Sequence, residues 1–130
     1  MTAGNVSTPR DQLGLQGEQL AERFLRSRGC RVIARRFRTA AGELDLVVRE
    51  GATLVFVEVK TQSDRTLLDP CERVTRGKQR RLGRAARSFV ARHRCENLPC
   101  RFDVVSVVID DSGATSIEHH PDAFSPPAWS

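Results

Sequence analysis

The chain has 130 residues, of which 39% are hydrophobic, and it carries a formal net charge of +5 with a pI near 9.7. This length predicts one domain with one hydrophobic core and excludes a second folding unit. The positive charge favours a polyanionic partner, and no apolar run is long enough to cross a bilayer.

Residues 1–11 are small and polar and contain no apolar run. They lack the hydrophobic segment of a secretory signal, so we predict a flexible N-terminus on a cytoplasmic protein. Cysteines in such a chain are expected to be reduced thiols. His93, Cys95 and Cys100 offer a zinc site as an alternative, although no paired Cys-x-x-C element accompanies them.

The first predicted helix covers residues 12–28, where apolar residues recur at helical spacing and Gly29 follows as a stop signal. Glu18 lies near the predicted start of this helix, where a solvated carboxylate would complement the helix dipole. A strand is predicted over residues 30–38. The three arginines at its end are interpreted either as a solvated edge or as phosphate ligands.

Residues 43–60 are the most informative stretch, because both halves alternate with the period of a strand. The short linker 49–53 contains a glycine, so we predict an antiparallel hairpin. The apolar residues predicted to share one face are Leu44, Leu46 and Val48 in the first strand and Val55, Val57 and Val59 in the second.

The register of this hairpin follows from its apolar pattern, since a slip of one residue would move every apolar side chain to the other face. Position 46 is then opposite position 57, and Asp45 is opposite Glu58. If the loop is tighter, Glu43 is opposite Glu58 instead. Carboxylates in such positions repel each other, so a cation should lie between them. One or two carboxylates, completed by waters and substrate phosphates, are the usual ligands of Mg²⁺.

Lys60 lies two residues beyond Glu58, roughly 7 Å along the strand. Of the 21 basic residues, only Lys60 and Lys78 are lysines. A position that tolerated either basic residue would most often be arginine here, so lysine at 60 indicates a specific need. Lysine is a compact point charge that suits the positioning of a water at a catalytic centre.

The second predicted helix covers residues 72–93 and has an apolar stripe beside a basic stripe. Residues 72–101 contain ten Lys or Arg against two acids, a net +8. This is either a solvated basic face or a phosphate-binding face, and the repulsion among so many like charges favours the second. With one Trp and no Tyr, duplex or branched nucleic acid is favoured over single strands. The residues predicted to contact nucleic acid are Arg76, Lys78, Arg80, Arg84 and Arg87.

Two further strands are predicted, a buried one over residues 101–109 and an edge strand over residues 115–119. Asp103 in the first of them is interpreted as a structural acid that pairs with an arginine. The Pro- and Ser-containing tail 121–130 is expected to be loose, apart from Phe124 packing back onto the domain.

These elements carry a resemblance to known families. The spacing of Asp45, Glu58 and Lys60 resembles the signature of the PD-(D/E)xK nuclease superfamily. Over roughly residues 14–124, the segments 17–18, 42–46, 56–61 and 101–105 resemble the bacterial YraN-like family, which is similar to archaeal Holliday-junction resolvases. The resemblance implies an α/β fold with a restriction-endonuclease-like core, a central mixed β-sheet flanked by helices, over residues 12–120.

The resemblance also implies a function: a nuclease that uses Mg²⁺ or Mn²⁺ to cleave structured or branched DNA. Asp45 and Glu58 would hold the metal together with Glu18, and Lys60 would position a water. Gln62, in a polar stretch 61–66 that resembles the flexible loop beside such sites, would orient water or phosphate, or would simply end its strand. The two-fold symmetry of branched DNA suggests a homodimer.

Two alternatives belong to other functional classes. The first is a nucleic-acid-binding protein that keeps the fold and the basic helix but does not cleave. The second is a metal-binding interaction module without nucleic acid, which the basic segment disfavours.

Overall fold

A computed structural model of the chain describes residues 8–63, 74–127 and 129. This part of the chain contains helices α1 (Pro9–Ser27) and α2 (Arg76–Arg92). Its strands are β1 (Arg31–Arg38), β2 (Glu43–Glu50), β3 (Thr53–Gln62), β4 (Cys100–Ile109) and β5 (Thr115–Phe124). No helix in the described ranges is long and apolar enough to cross a membrane.

Helix α1 begins at Pro9, so the prediction of a flexible segment as far as residue 11 is wrong for its last residues. The Thr8 side chain accepts a hydrogen bond from the Asp11 backbone N–H, and the Asp11 carboxylate accepts one from the Thr8 N–H. This reciprocal cap satisfies two N–H groups that have no partner within the helix, and proline is favoured at the first helical position. Residues 1–7 lie outside the described ranges.

The hairpin of β2 and β3 has the predicted register, with Leu46 opposite Val57 and Val48 opposite Val55. Gly51 in the turn has a φ of 59°, a left-handed conformation that glycine adopts at little cost. The prediction of an antiparallel hairpin over residues 43–60 is therefore confirmed.

Leu44 packs on the opposite face of the sheet from the one predicted. It contacts the cluster around α2, whereas Leu46 and Val48 contact the cluster around α1. The backbone pairing of β2 with β3 extends only from Leu46 to the turn, so the alternation is not enforced at Asp45. In β1, Arg36 has a φ of 49°, which changes the strand's direction beside this point.

The five strands form one sheet in the order β1-β2-β3-β4-β5. Neighbouring strands are antiparallel except β3 and β4, which are parallel and are joined through α2. A parallel pair requires such a crossover, whereas antiparallel neighbours are joined by short turns. The predicted α/β fold, a mixed sheet flanked by helices with a restriction-endonuclease-like core, is confirmed.

The core consists of two layers, one on each face of the sheet. Helix α1 covers the first face through Ala21 and Leu25, which pack with the valines of β3 and β4. Helix α2 covers the second face with Leu82 and Phe89. Strand β3 is therefore covered on both faces and carries the candidate site residues near its C-terminal end.

The C-terminal segment is more ordered than predicted. Strand β5 extends to Phe124, five residues beyond the predicted end at His119, so residues 121–124 belong to the sheet. The Trp129 ring packs edge-on against Phe102, with 5.0 Å between ring centroids. Burial of these aromatic rings against the core outweighs the turn-forming composition that suggested a loose tail.

Helix α2 begins at Arg76, after Thr75 has accepted a hydrogen bond from the Lys78 backbone N–H as N-cap. The predicted start at residue 72 lies outside the described residues, as do residues 64–66 of the polar stretch after Lys60.

Candidate active site

Asp45 and Glu58 lie side by side where the pairing of β2 and β3 ends. The Asp45 Oδ2 accepts a hydrogen bond of 2.8 Å from the Val59 backbone N–H. A second hydrogen bond joins the two carboxyl groups directly. The side chain of Asp45 thus bridges the two strands beyond their last backbone pair, which brings the two acids together as the hairpin register predicts.

The Asp45 carboxyl group holds a proton more strongly than an ordinary aspartic acid. Burial raises its pKa, and the negative charge of Glu58 raises it further, to about 8. The hydrogen bond from the Val59 N–H and the more distant charge of Glu18 act in opposite directions on this pKa. Glu58 is buried and Asp45 is partly buried. Two adjacent carboxyl groups with so little access to water cannot both ionise cheaply, so at neutral pH the proton stays on Asp45.

Glu58 carries the negative charge of this pair, although its side chain is only 5% exposed. The Lys60 Nζ lies 3.1 Å from its Oε2, and the Lys78 Nζ forms a second ion pair with the same oxygen. Burial alone would raise the pKa of Glu58, but the two ammonium groups outweigh burial and leave that pKa below its usual value.

The two lysines contact Glu58 from different elements. Lys60 is on β3, and burial lowers its pKa despite the opposing charge of Glu58. Lys78 is in the first turn of α2. Burial acts to lower its pKa, but the charge of Glu58, the hydrogen bond to it and smaller contributions together outweigh burial and raise that pKa. We predicted Lys78 as a nucleic-acid contact and did not predict its place in this cluster. The available signal was composition, since Lys60 and Lys78 are the only lysines in the chain.

Glu18 lies in the middle of α1 rather than near its beginning, because the helix begins at Pro9. Its carboxylate accepts a hydrogen bond of 2.9 Å from the Arg36 Nε, so it is not simply solvated. Glu18 and Asp45 line the same cavity, of about 490 Å³, between α1 and the β1–β2 part of the sheet. Within the described residues, no group of three His, Cys, Asp or Glu side chains is arranged to hold a metal.

Gly17 positions Glu18 by letting α1 approach the sheet closely. A Cβ atom at Gly17 would lie 1.9 Å from the Thr61 Oγ1, so only glycine fits this helix-to-strand contact. The close approach places the middle of α1 over the C-terminal end of β3, beside the acidic pair.

Gln62, at the end of β3, has a buried side chain. It lines a second cavity, of about 320 Å³, together with Glu18 and Thr61. Gln62 is therefore held close to the site by the same strand as Glu58 and Lys60, and its assignment as an orienting residue stays a prediction.

The basic residues of α2 differ in their surroundings. Arg76, Arg80 and Arg84 are exposed, and the Arg87 guanidinium lies over the Trp129 ring at 5.1 Å from its centroid. We call the exposed row Arg76, Arg80, Arg84 and Arg87 the basic face. Lys78 lies in the same helical turn as Arg76 but on the inner side of α2, facing Glu58, so the basic face and the acidic pair are on different sides of this helix.

The donor set of Asp45 and Glu58 fits Mg²⁺ or Mn²⁺. Hard divalent cations of this size take oxygen ligands and keep several waters, so one or two protein carboxylates suffice. The proton on Asp45 and the ammonium groups on Glu58 occupy positions where a cation would stabilise both carboxylates. Glu18 is engaged with Arg36, so its assignment as a metal ligand remains a prediction.

The residues proposed as an alternative zinc site have other contacts. The His93 ring stacks on Phe89 with 4.0 Å between centroids, and its Nδ1 lies 3.0 Å from the Phe89 carbonyl oxygen. The Cys95 thiol donates to the Val90 carbonyl oxygen. These contacts provide no arrangement of converging ligands.

Asp103 has the structural role that we predicted. It is fully buried and accepts hydrogen bonds from Arg101, at 3.0 and 3.2 Å, and from the Asp122 backbone N–H. The His119 Nε2 also lies 2.7 Å from this carboxylate. Asp103 therefore joins β4 to β5 and is satisfied by partners within the chain.

Comparison with known proteins places the chain in a bacterial family. The model of the family described as "Uncharacterised protein family UPF0102" matches residues 17–107. A UPF0102 protein of Symbiobacterium thermophilum is 51% identical over 96 residues, which cover 74% of this chain and 81% of that protein. Another, from Geobacter sulfurreducens, is 40% identical over 124 residues, which cover 95% of this chain and 97% of that protein. The chain therefore belongs to the UPF0102 family, which confirms the YraN-like resemblance of its sequence motifs.

Proposed function

We propose that this protein is a metal-dependent endonuclease that hydrolyses phosphodiester bonds in structured or branched DNA. One observation carries the proposal: the partly buried carboxyl group of Asp45 contacts the buried carboxylate of Glu58, which is paired with the ammonium group of Lys60. Such a pair is costly in a purely structural role, because a proton must be retained on Asp45 at neutral pH.

Asp45 and Glu58 would hold Mg²⁺ or Mn²⁺, with Glu18 as a further acid near the ion. The cation, when bound, supplies a Lewis acid that polarises a phosphoryl oxygen and favours deprotonation of a water. Lys60 is fixed on β3 beside Glu58 and would hold a water for attack and stabilise negative charge that develops on the phosphate. Gln62 would orient the same water or a neighbouring phosphate.

The substrate class is argued from charge and from side-chain type. The basic face presents exposed arginines along α2, and guanidinium groups pair well with phosphate oxygens. The described aromatic rings pack in the interior, so they offer no row on which unpaired bases could stack. These features favour the backbone of duplex or branched DNA. A homodimer would match the two-fold symmetry of a branched substrate.

A second candidate is a nucleic-acid-binding protein that does not cleave. It is favoured by the two ammonium groups on Glu58, which already neutralise the acid without a metal. The two candidates differ in one property, since only the nuclease needs Asp45 and Glu58 to be ionised together.

In the test, the purified protein is incubated with linear, flapped and four-way DNA of matched sequence. Each DNA is tested separately in Mg²⁺, in Mn²⁺ and in chelator. We expect cleavage of at least one substrate that requires the divalent cation. Glu58→Gln and Lys60→Ala should abolish cleavage and retain DNA binding. Glu118→Gln, an exposed acid on β5, is the control and should cleave like the parent. Binding without cleavage of any substrate would favour the second candidate.

A further inference from the structure

The two lysines of this chain converge on one carboxylate. All 19 other Lys or Arg positions are arginine. Within the described part of the chain, however, the ion pairs of the buried Glu58 are made by lysine, one from β3 and one from α2. An arginine would form a bidentate, persistent pair with a carboxylate, whereas an ammonium is a point charge that can exchange partners. The choice of lysine at both positions therefore favours contacts that can be broken.

Lys78 is the more easily released of the two. Its side chain is 33% exposed, against 18% for Lys60. Lys60 is also held by its strand, which pairs with β4 at Ser106, while Lys78 lies in the first turn of a helix, between partly exposed neighbours. Rotation of the Lys78 side chain can remove its ammonium from Glu58 without any movement of the sheet.

The charges of the site indicate when this release would occur. The Glu58 carboxylate already faces two ammonium groups. A divalent cation that binds this carboxylate adds two more positive charges beside them. The site then has an excess of positive charge. Departure of the Lys78 ammonium from Glu58 removes one positive charge, and an approaching phosphate adds negative charge. Like charges this close in a poorly solvated site repel strongly.

We propose that Lys78 is a second lysine of the reaction, an inference that rests on the proposed nuclease function. In the metal-free protein its ammonium holds Glu58 and competes with the divalent cation for that carboxylate. Once the cation is bound, the same ammonium contacts a phosphate of the DNA. Lys78 extends from the inner side of α2 toward Glu58, whereas the basic face lies on the outer side of the same helix. The phosphate that Lys78 contacts is therefore one at the acidic pair, not one on the basic face.

The proposal predicts opposite effects of one substitution on metal binding and on cleavage. Lys78→Gln removes the competing charge, so Mn²⁺ alone should bind roughly 3- to 10-fold more tightly than to the parent. The same substitution removes a phosphate contact, so the cleavage rate at saturating Mn²⁺ should fall about tenfold or more. A residue that only supported the fold would not strengthen metal binding.

The experiment measures Mn²⁺ affinity from thermal melts across a titration of the metal, without DNA. Lys78→Arg keeps the charge and should bind Mn²⁺ no more tightly than the parent. Arg92→Gln loses one charge in the last turn of the same helix, roughly 20 Å along it from Lys78, and should match the parent in affinity and in cleavage.

The outcomes separate this inference from the proposed function. If the parent binds Mn²⁺ and cleaves DNA but Lys78→Gln binds the metal with unchanged or lower affinity, the role of Lys78 is wrong and the nuclease assignment stands. If Lys78→Gln binds Mn²⁺ more tightly and cleaves like the parent, its contact with phosphate is wrong. If the parent neither binds the metal nor cleaves, both proposals fail.

Discussion

Replacement of Asp45 by asparagine should stabilise the protein when no metal is present. Asparagine has the shape of a protonated aspartic acid. Its carbonyl oxygen can accept the hydrogen bond from the Val59 N–H, and its amide can donate to the Glu58 carboxylate. The variant therefore keeps both contacts of Asp45 without having to take up a proton when it folds.

The size of the effect follows from the raised pKa. Asp45 titrates near 3.8 when unfolded and at about 8 in the folded protein, so at pH 7 it must take up a proton when the chain folds. The cost is set by the interval of about three pH units between the unfolded pKa and pH 7. At about 1.4 kcal/mol per unit, the ceiling is about 4 kcal/mol of lost stability. Partial solvent access reduces it, and we expect Asp45→Asn to gain about 1–3 kcal/mol, or roughly 4–12 °C in Tm.

The sign of the pH dependence gives a second readout. Because the folded-state pKa is raised, the native protein binds the extra proton. The contribution of Asp45 to the free energy of unfolding is therefore most favourable below pH 3.8 and falls as pH rises to about 8. Asp45→Asn lacks this group, so its advantage over the parent should grow between pH 5 and 8 and then level off. Asp111→Asn, in an exposed turn, should differ from the parent by less than about 0.5 kcal/mol at every pH.

Bound metal should make the parent more stable than Asp45→Asn, the reverse of the order expected in chelator. A cation that binds only the folded parent adds RT ln(1 + [L]/Kd), about 2.7 kcal/mol at 100 times Kd, and the asparagine variant should lose most of this gain. Since Asp45 must release its proton, the parent's apparent affinity for Mn²⁺ should rise up to tenfold per pH unit below about 8. The melts are run in chelator and across Mg²⁺ and Mn²⁺ titrations at pH 6, 7 and 8.

The result that refutes this reasoning is a loss of stability in the variant. If Asp45→Asn is destabilised by more than about 1 kcal/mol in chelator at pH 7, and metal does not stabilise the parent, Asp45 is an ionised structural acid. The nuclease proposal would then lose the observation that carries it.

Two further predictions test how α1 is positioned and what the basic face binds. Gly17→Ala should lower the free energy of unfolding by about 2 kcal/mol or more, because the new Cβ would overlap the β3 threonine that faces it. Gly14→Ala places its Cβ where no atom lies within 4 Å, so it should raise that free energy by about 0.5–1 kcal/mol. Urea unfolding measures both. Equal effects of the two substitutions would rule out the close contact. For DNA binding, Arg80→Gln with Arg84→Gln should make the slope of log K against log salt less steep by up to about 1.8, since each neutralised phosphate contributes about 0.9. The matched control loses the same charge beside the β2–β3 turn, through Arg31→Gln and Arg49→Gln. An unchanged slope in the first pair would mean that the basic face is only solvated.

The hairpin was predictable because its information is local. Period-2 alternation, a short glycine-containing turn and the cost of a register slip together determine which residues of β2 and β3 are opposite each other. The two acids follow from that register. The position of Leu44 did not follow, because the direction of a side chain beyond the last backbone pair depends on the neighbouring strand, where Arg36 has a left-handed backbone conformation.

Contacts between distant segments could not be predicted in the same way. Lys78 reaches Glu58 only because α2 begins at Arg76, directly after its N-cap Thr75, and connects β3 to β4 across the sheet. The pairing of Glu18 with Arg36 likewise depends on the depth at which α1 packs, which Gly17 sets. The start of α1 was different, since Thr8, Pro9 and Asp11 form a local capping pattern that the sequence already contained.

Two acids of the sheet differ in how the chain compensates their charge. This difference distinguishes an acid that supports the fold from one that is available for chemistry. Asp103 is fully buried, yet Arg101, His119 and a backbone N–H meet its oxygens, so the chain itself supplies what the charge requires. Asp45 is bonded to one backbone N–H and to a second carboxyl group, and it retains a proton at neutral pH. A fold that can satisfy Asp103 so completely could have placed an arginine beside Asp45 at similar cost. At the acidic pair the chain provides two ammonium groups to Glu58 and leaves a proton on Asp45. A cation can displace that proton, which is the property that the proposed metal site needs.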